Sequence, residues 1–217
     1  MELIDLAGLI KSRRSIRRWQ RKEVPEDLLL QAIELATWAP NGGNQQNWYF
    51  YVIKNRDIIN TIADAVQSSA NIMASWPEAK KFVDTASGLI KRIGFFRDAP
   101  AAIAVSAAHY QSPIDEILAM REKNDPKAGR IRQWRNIANS RIQSVSSAIA
   151  YLLLILHQMG LGAVWMTGPI QAKDKIEKIL KLPHNMDVIA FIPIGYPGEK
   201  PAQKERKPLK EVCKVIR

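Results

Sequence analysis

Asn139-Ser-Arg-Ile-Gln-Ser-Val-Ser-Ser-Ala-Ile-Ala-Tyr-Leu-Leu-Leu-Ile-Leu-His-Gln-Met159 carries the strongest helical pattern in the chain. Ile142, Val145, Ile149, Leu152, Leu156 and Met159 follow one another by three and four, which draws one apolar seam along a helix. Leu153, Leu154 and Ile155 then make the C-terminal half apolar nearly all round, so this helix is buried on several sides. In a chain of 217 residues, part of that burial is expected to come from a second subunit. Gly160 ends the helix.

Working outward, Ala163-Val164-Trp165-Met166-Thr167 reads as a strand broken by Gly168-Pro169. A helix over about 174–180 follows, then a buried strand, Val188-Ile189-Ala190-Phe191-Ile192, closed by Gly195-Tyr196-Pro197-Gly198. Towards the N-terminus, Pro100 to Ser106 and Tyr49 to Ile53 are further buried strands. A first helix, with Leu3, Leu6 and Ile10 at helical spacing, ends near Ser12. A second helix starts at Pro25, shows Leu28, Ala32, Leu35 and Ala39 on its apolar side and stops at Pro40; a third spans about 57–66. The segments 67–98 and 107–135 are helical but mixed in polarity, and Asn124-Asp125-Pro126 interrupts the second. We read them as lid or rim helices, with plain surface helices as the alternative. With no internal repeat and no long linker, the alternation gives one α/β domain over residues 1–217.

The hydrophobic fraction, 47%, suffices for a sizeable core. No apolar run is long enough to cross a membrane, and Met1-Glu2-Leu3-Ile4-Asp5 does not begin like a signal peptide. Cys213 is the one cysteine, so no intrachain disulfide forms. These features point to a cytoplasmic protein without a membrane partner. The net charge of +11 draws anions such as phosphorylated cofactors or nucleic acid. A nucleic-acid-binding protein without flavin is the rival of another class. It is the less favoured one, because Trp38, Trp48 and Trp165 sit in or beside apolar elements and are expected to be mostly buried rather than stacking bases.

Familiar catalytic motifs do not apply. Gly160-Leu161-Gly162 follows a helix and has Trp165 where a dinucleotide fingerprint needs its third glycine. His109, His157 and His184 are far apart in sequence, so no metal site is expected. No side chain stands out as a nucleophile, which suits a protein whose cofactor carries the chemistry.

Four segments carry candidate function. In Arg13-Arg14-Ser15-Ile16-Arg17-Arg18-Trp19, an extended arm would point residues 13, 15 and 17 the same way, two guanidinium groups and a hydroxyl suited to one phosphate. Pro40-Asn41-Gly42-Gly43-Asn44-Gln45-Gln46-Asn47 places five carboxamides before a buried strand; they offer donors and acceptors to a heterocycle edge, and the glycines let backbone approach a planar ring. Met166-Thr167-Gly168 lies at a strand end, where ligands of α/β sheets often sit. Lys204 and Arg206, two apart, can complete a phosphate site. Taken alone, each segment also reads as an ordinary arm, turn, strand end or solvated tail.

Their order and spacing resemble the nitroreductase family of FMN enzymes over nearly the whole chain. The resemblance rests on Arg13 to Arg17, on Ala39 to Phe50 and on Ile194 to Pro208. It implies an α+β fold with a mainly antiparallel central sheet flanked by helices, and a homodimer with the 139–159 helix at its interface and the C-terminal tail wrapped round the partner. By the same resemblance Arg13, Ser15, Arg17, Lys204 and Arg206 hold the FMN phosphate and Arg14 contributes mainly backbone. Pro40, Asn41, Gly42 and Asn44, with Gln46 in the same loop, come from the partner subunit to line the ring. Met166, Thr167 and Gly168 pass along its other face or edge. NADH or NADPH would be the donor, and a small planar oxidised molecule such as a nitroaromatic or quinone the acceptor, in ping-pong turnover without a catalytic side chain. Dehalogenation or dehydrogenation is the alternative within the family. The chain departs from the family pattern at Asn41-Gly42, where a serine pair is usual, at Asn47, where proline is usual, and at Trp19, where phenylalanine is commoner. The flavin-cleaving relatives usually have aspartate where Ser15 stands, which argues against that reaction.

Overall fold

The computed structural model describes residues 3–82, 93–110 and 112–217. Helix α1 (Leu3–Ser12) leads into the arginine-rich arm, and α2 (Glu26–Ala36) follows. Strand β1 (Trp48–Ile53) precedes α3 (Arg56–Ser75), which Asn55 caps by accepting from the backbone N–H groups of Asp57 and Ile58. Then come β2 (Ala101–Ala108), α4 (Pro113–Arg121), α5 (Pro126–Ala138) and α6 (Ser140–Gln158). The chain closes with β3 (Gly162–Ala163), α7 (Lys173–Leu180), β4 (Met186–Gly195) and the short α8 (Leu209–Val212).

The sheet order is β1-β2-β4-β3, and every pairing is antiparallel. The alternation of strands and helices therefore does not make parallel crossovers, and the α+β fold implied by the family resemblance is the one formed. Strand β2 explains why its residues are small. Ala101, Ile103, Val105 and Ala107 face the core under α2 and α6, whereas Ala102 and Ala104 face the core under α3 and α7. Both faces are covered, so the strand reads as a continuous apolar run. A bulge between Val105 and Ser106 shifts the register against β4, and puts Val188 and Ala190 on opposite faces although they are two residues apart.

Helix α6 is the central beam. Val145, Ala148, Ile149, Leu152 and Leu156 are fully buried, each large side chain contributing roughly 1.5–3 kcal/mol. Asn139, at φ 38°, ends α5 and caps α6 by accepting from the Ile142 N–H, so the chain reverses at one residue. Helix α2 meets α6 through Leu29, Ala32, Ala36 and Ala39, not through the expected side with Leu28 and Leu35. Leu29, Ala32 and Ala36 are fully buried in the core they share with α6, whereas Leu35 is exposed. Trp38, expected to be buried, is 80% exposed just beyond the C-terminal end of α2.

The expected strand over 163–167 shortens to β3 plus a single bridge between Met166 and Phe191, because the arm, not a further strand, takes the outer edge of β3. Of the segment 67–98, α3 runs on to Ser75 and short helical turns occupy 77–82 and 95–98; its part at 83–92 lies outside the described residues. The 107–135 segment begins as the end of β2 and continues as the hairpin of α4 and α5, locked where Arg135 Nε donates to Asp115 Oδ1 at 2.6 Å. Among the described residues, no helix is long and apolar enough to cross a membrane.

Candidate functional site

The arm begins where α1 runs out. Arg14 Nη1 donates to the carbonyls of Lys11 (2.6 Å) and Arg13 (2.7 Å), a cation placed on the negative end of the helix. Beyond it the chain does not alternate as a straight strand would. Ile16 and Trp19, three apart, both turn inward and are buried, while Arg17 and Arg18 stay exposed. The Ile16 N–H donates to the Ala163 carbonyl, and Trp19 Nε1 donates to the Gly162 carbonyl at 2.9 Å. Gln20 N–H reaches the Tyr196 carbonyl, Gly198 N–H reaches that of Arg18, and Glu199 Oε1 accepts from the backbone N–H groups of Arg17 and Arg18. Only glycine fits beneath: a Cβ at Gly162 would lie 2.7 Å from Ile16 and one at Gly195 2.7 Å from Pro100.

This anchoring holds cations together. Arg13 is half-buried, and its guanidinium is pushed below its ordinary pKa by burial first, then by Arg14, then by Arg206. Among the described residues, no carboxylate makes an ion pair with Arg13, Arg14, Arg17 or Arg206. Half-buried like charges without a counter-ion are unfavourable, and a bound anion removes the penalty. Ser15 is half-buried between Arg14 and Ile16. Arg17 lines a separate cleft of about 710 Å³, which Arg18, Arg21, Lys22 and Arg56 also line. Lys204 and Arg206 lie on the exposed tail, and Arg206 reaches the field of Arg13.

The carboxamide loop is built on α6. Ser147 Oγ donates to the Pro40 carbonyl at 2.6 Å, and Ser144 Oγ accepts from the Gly42 N–H at 3.2 Å. Gly43, Asn44 and Gln46 all adopt positive φ, which coils the loop tightly. Asn41 Oδ1 accepts from the Gln46 N–H, and the Gln46 amide donates to Asn44 Oδ1. Residues 42–46 are exposed, while Asn47 is buried with its Oδ1 lacking a partner. Met166 exchanges two backbone bonds with Phe191, after which Thr167 and Gly168 emerge exposed. Beside them the buried Trp165 Nε1 has no acceptor.

The two halves of the expected site do not meet within one chain. The loop sits on α6 at Ser144 and Ser147, whereas the arm reaches α6 where Ser12 Oγ and His157 Nε2 lie 2.9 Å apart. At 1.5 Å per residue, the two attachment points are roughly 15–20 Å apart along the helix. Sequence reading missed Ser144, Ser147, Gly162, Glu199 and the Ser12–His157 pair. The two serines left a weak signal, since they belong to a serine-rich first half of a helix whose second half is apolar; the other contacts are long-range and left none.

A family model described as the nitroreductase family matches residues 10–196. A putative NADH dehydrogenase/NAD(P)H nitroreductase of Methanothermobacter thermautotrophicus is 28% identical over 93% of this chain and 82% of its own length. An iodotyrosine deiodinase of Thermotoga neapolitana is 25% identical over 95% of each. Among solved structures, a BluB-like flavoprotein from Clostridium difficile 630 superposes with a TM-score of 0.85 at 28% identity, covering both chains completely.

Proposed function

The chain belongs to the nitroreductase family, and on that premise we propose that it is an FMN-dependent oxidoreductase that takes two electrons from NADH or NADPH and passes them to a planar acceptor such as a nitroaromatic or quinone. One observation carries the reading: Arg13, half-buried beside Arg14 and within the field of Arg206, has no carboxylate partner among the described residues. A phosphate monoester supplies the missing charge and matches the fork of a guanidinium.

The residues fit FMN in a homodimer. If two copies of α6 pack antiparallel about a two-fold axis, the loop on the N-terminal half of one helix comes to the arm at the C-terminal end of the other. The site is then completed in trans. The exposed Leu35, Trp38 and Tyr151 and the tail with Leu209, Val212, Val215 and Ile216 provide the apolar surface for such a contact. Arg13, Ser15, Lys204 and Arg206 hold the phosphate, and Arg17 extends the positive field along the cofactor. Pro40, Asn41, Gly42, Asn44 and Gln46 of the second copy bind the ring edge through amides and backbone. Met166, Thr167 and Gly168 border the ring, and Trp165 Nε1 is a buried donor available beside them.

Bound FMN supplies the two-electron chemistry. The protein positions cofactor and substrates and sets the electrostatics around them. Reductive dehalogenation is a second reading, favoured by the deiodinase relative at 25% identity over nearly the full length. The test is the visible spectrum of the purified protein, followed by anaerobic addition of NADH or NADPH and then of a nitroaromatic, a quinone or a halotyrosine. Flavin bands that bleach with the donor and recover with one acceptor class support the reading and select between its forms. A colourless protein that takes up no FMN overturns it.

A further inference from the structure

The last turn of α6 carries His157, which the phosphate-clamp assignment leaves unused. Its imidazole is half-buried, with Nε2 2.9 Å from the Ser12 hydroxyl at the end of α1. Arg13 and Arg14 follow Ser12 directly, and both act on the imidazole electrostatically, while Arg206 acts on Arg13. Other charges on the two helices are Asp5 and Lys11 on α1 and Arg141 at the far end of α6. The imidazole thus stands against the residue that directly precedes the arginines of the arm.

Resting on the FMN reading above, we infer that His157 is a further member of the anion clamp: anchored on Ser12, its imidazole takes up a proton when a phosphate monoester settles on Arg13 and Arg206. Without an anion, burial first, then Arg13, then Arg14, hold its pKa below the ordinary 6.5. A dianion neutralises Arg13 and adds an attractive charge, so the field at the ring changes sign. The end of a helix also favours a cation. The bound state therefore holds more protons than the free state, and binding tightens as pH falls through the bound-state pKa. The gain levels off below the free-state pKa. A purely structural His157 that only ties α1 to α6 predicts no such linkage.

To test this, the flavin-loaded full chain is diluted and FMN release is followed by the recovery of free-flavin fluorescence. Measurements run from about pH 8 to about pH 6.5, above the second phosphate pKa of about 6. Wild type is expected to hold FMN about three- to tenfold more tightly at the lower pH, and His157→Gln, which keeps a polar side chain but does not titrate, to lose most of that difference. A second readout needs no variant: near neutral pH in weak buffer, FMN binding takes up a fraction of a proton per site, whereas riboflavin, which lacks the phosphate, takes up none. Equal pH slopes in wild type and variant, or no proton uptake with FMN, overturn the role of His157 and leave the FMN site standing. Failure to bind FMN at any pH overturns both.

Discussion

Ser147 Oγ donates to the Pro40 carbonyl at 2.6 Å, tying the carboxamide loop to the middle of the central helix. Gly43, Asn44 and Gln46 all hold positive φ, a region that is costly for the two carboxamide residues, so the loop needs such a tie to stay in this shape. Ser147→Ala removes it while leaving the buried face of α6 intact. FMN retention should fall by about 0.5–1.5 kcal/mol, or roughly two- to tenfold in Kd, with little change in global stability. Fluorescence titration alongside a urea melt checks this; equal losses in both measurements would assign the bond to folding instead.

Gly162→Ala tests the seat of the arm. The new Cβ would lie 2.7 Å from Ile16, a buried side chain that cannot retreat freely. A cost of about 1–3 kcal/mol in unfolding free energy is expected. Because the arm must shift, flavin occupancy of the purified protein should drop as well.

The phosphate assignment is tested by Arg206→Ala and Arg13→Ala. Each should weaken FMN by about 1.5–3 kcal/mol per charge-assisted bond lost. If both variants purify with a full flavin complement, the phosphate lies elsewhere. Riboflavin affinity should be nearly unchanged in Arg206→Ala, since the residue is assigned to the phosphate alone.

Acid stability should depend on Asp187, far from the arm. Burial alone would raise its pKa, but hydrogen bonds from Lys173 and Arg141 outweigh burial and hold it at about 2. The folded value is depressed, so the stabilisation is present above the unfolded value of 3.8 and is lost as pH falls towards 2. About 1–2 kcal/mol, discounted for partial exposure, is at stake. Asp187→Asn should lower the urea midpoint at neutral pH and flatten its decline between about pH 5 and pH 2.

Removing residues 209–217 tests the dimer. Every residue from 202 onward is exposed on its own chain, so the truncated fold should persist by circular dichroism. If the tail packs on a partner, sedimentation should show weakened dimerisation, and FMN should be lost with it. A truncated protein that stays fully dimeric and yellow would place the contact elsewhere.

The sequence by itself determined the beam and the strands. The three-and-four spacing through Val145, Ile149, Leu152 and Leu156 survives as the buried face of α6, and the alanine-rich run after Pro100 is the doubly covered β2. These features are local and periodic, so neighbouring residues report them. The ordered basic, carboxamide and tail motifs were legible for the same reason.

What only the tertiary structure decided is how these pieces face one another. Antiparallel pairing of β2 and β4 depends on partners from 78 (Ala108 and Met186) to 93 (Ala101 and Ile194) residues apart, and the strand patterns fit either direction. The arm does not alternate, because Gly162 and Gly195 open room for Ile16 and Trp19 on the same side. Helix α2 buries Leu29 with Ala32 and Ala36 and leaves Leu35 outside, a choice of face that its own spacing did not fix. The separation of arm and loop along α6 is likewise a three-dimensional fact. Such contacts are set by which surfaces fit once the core closes, and no spacing along a single chain encodes them.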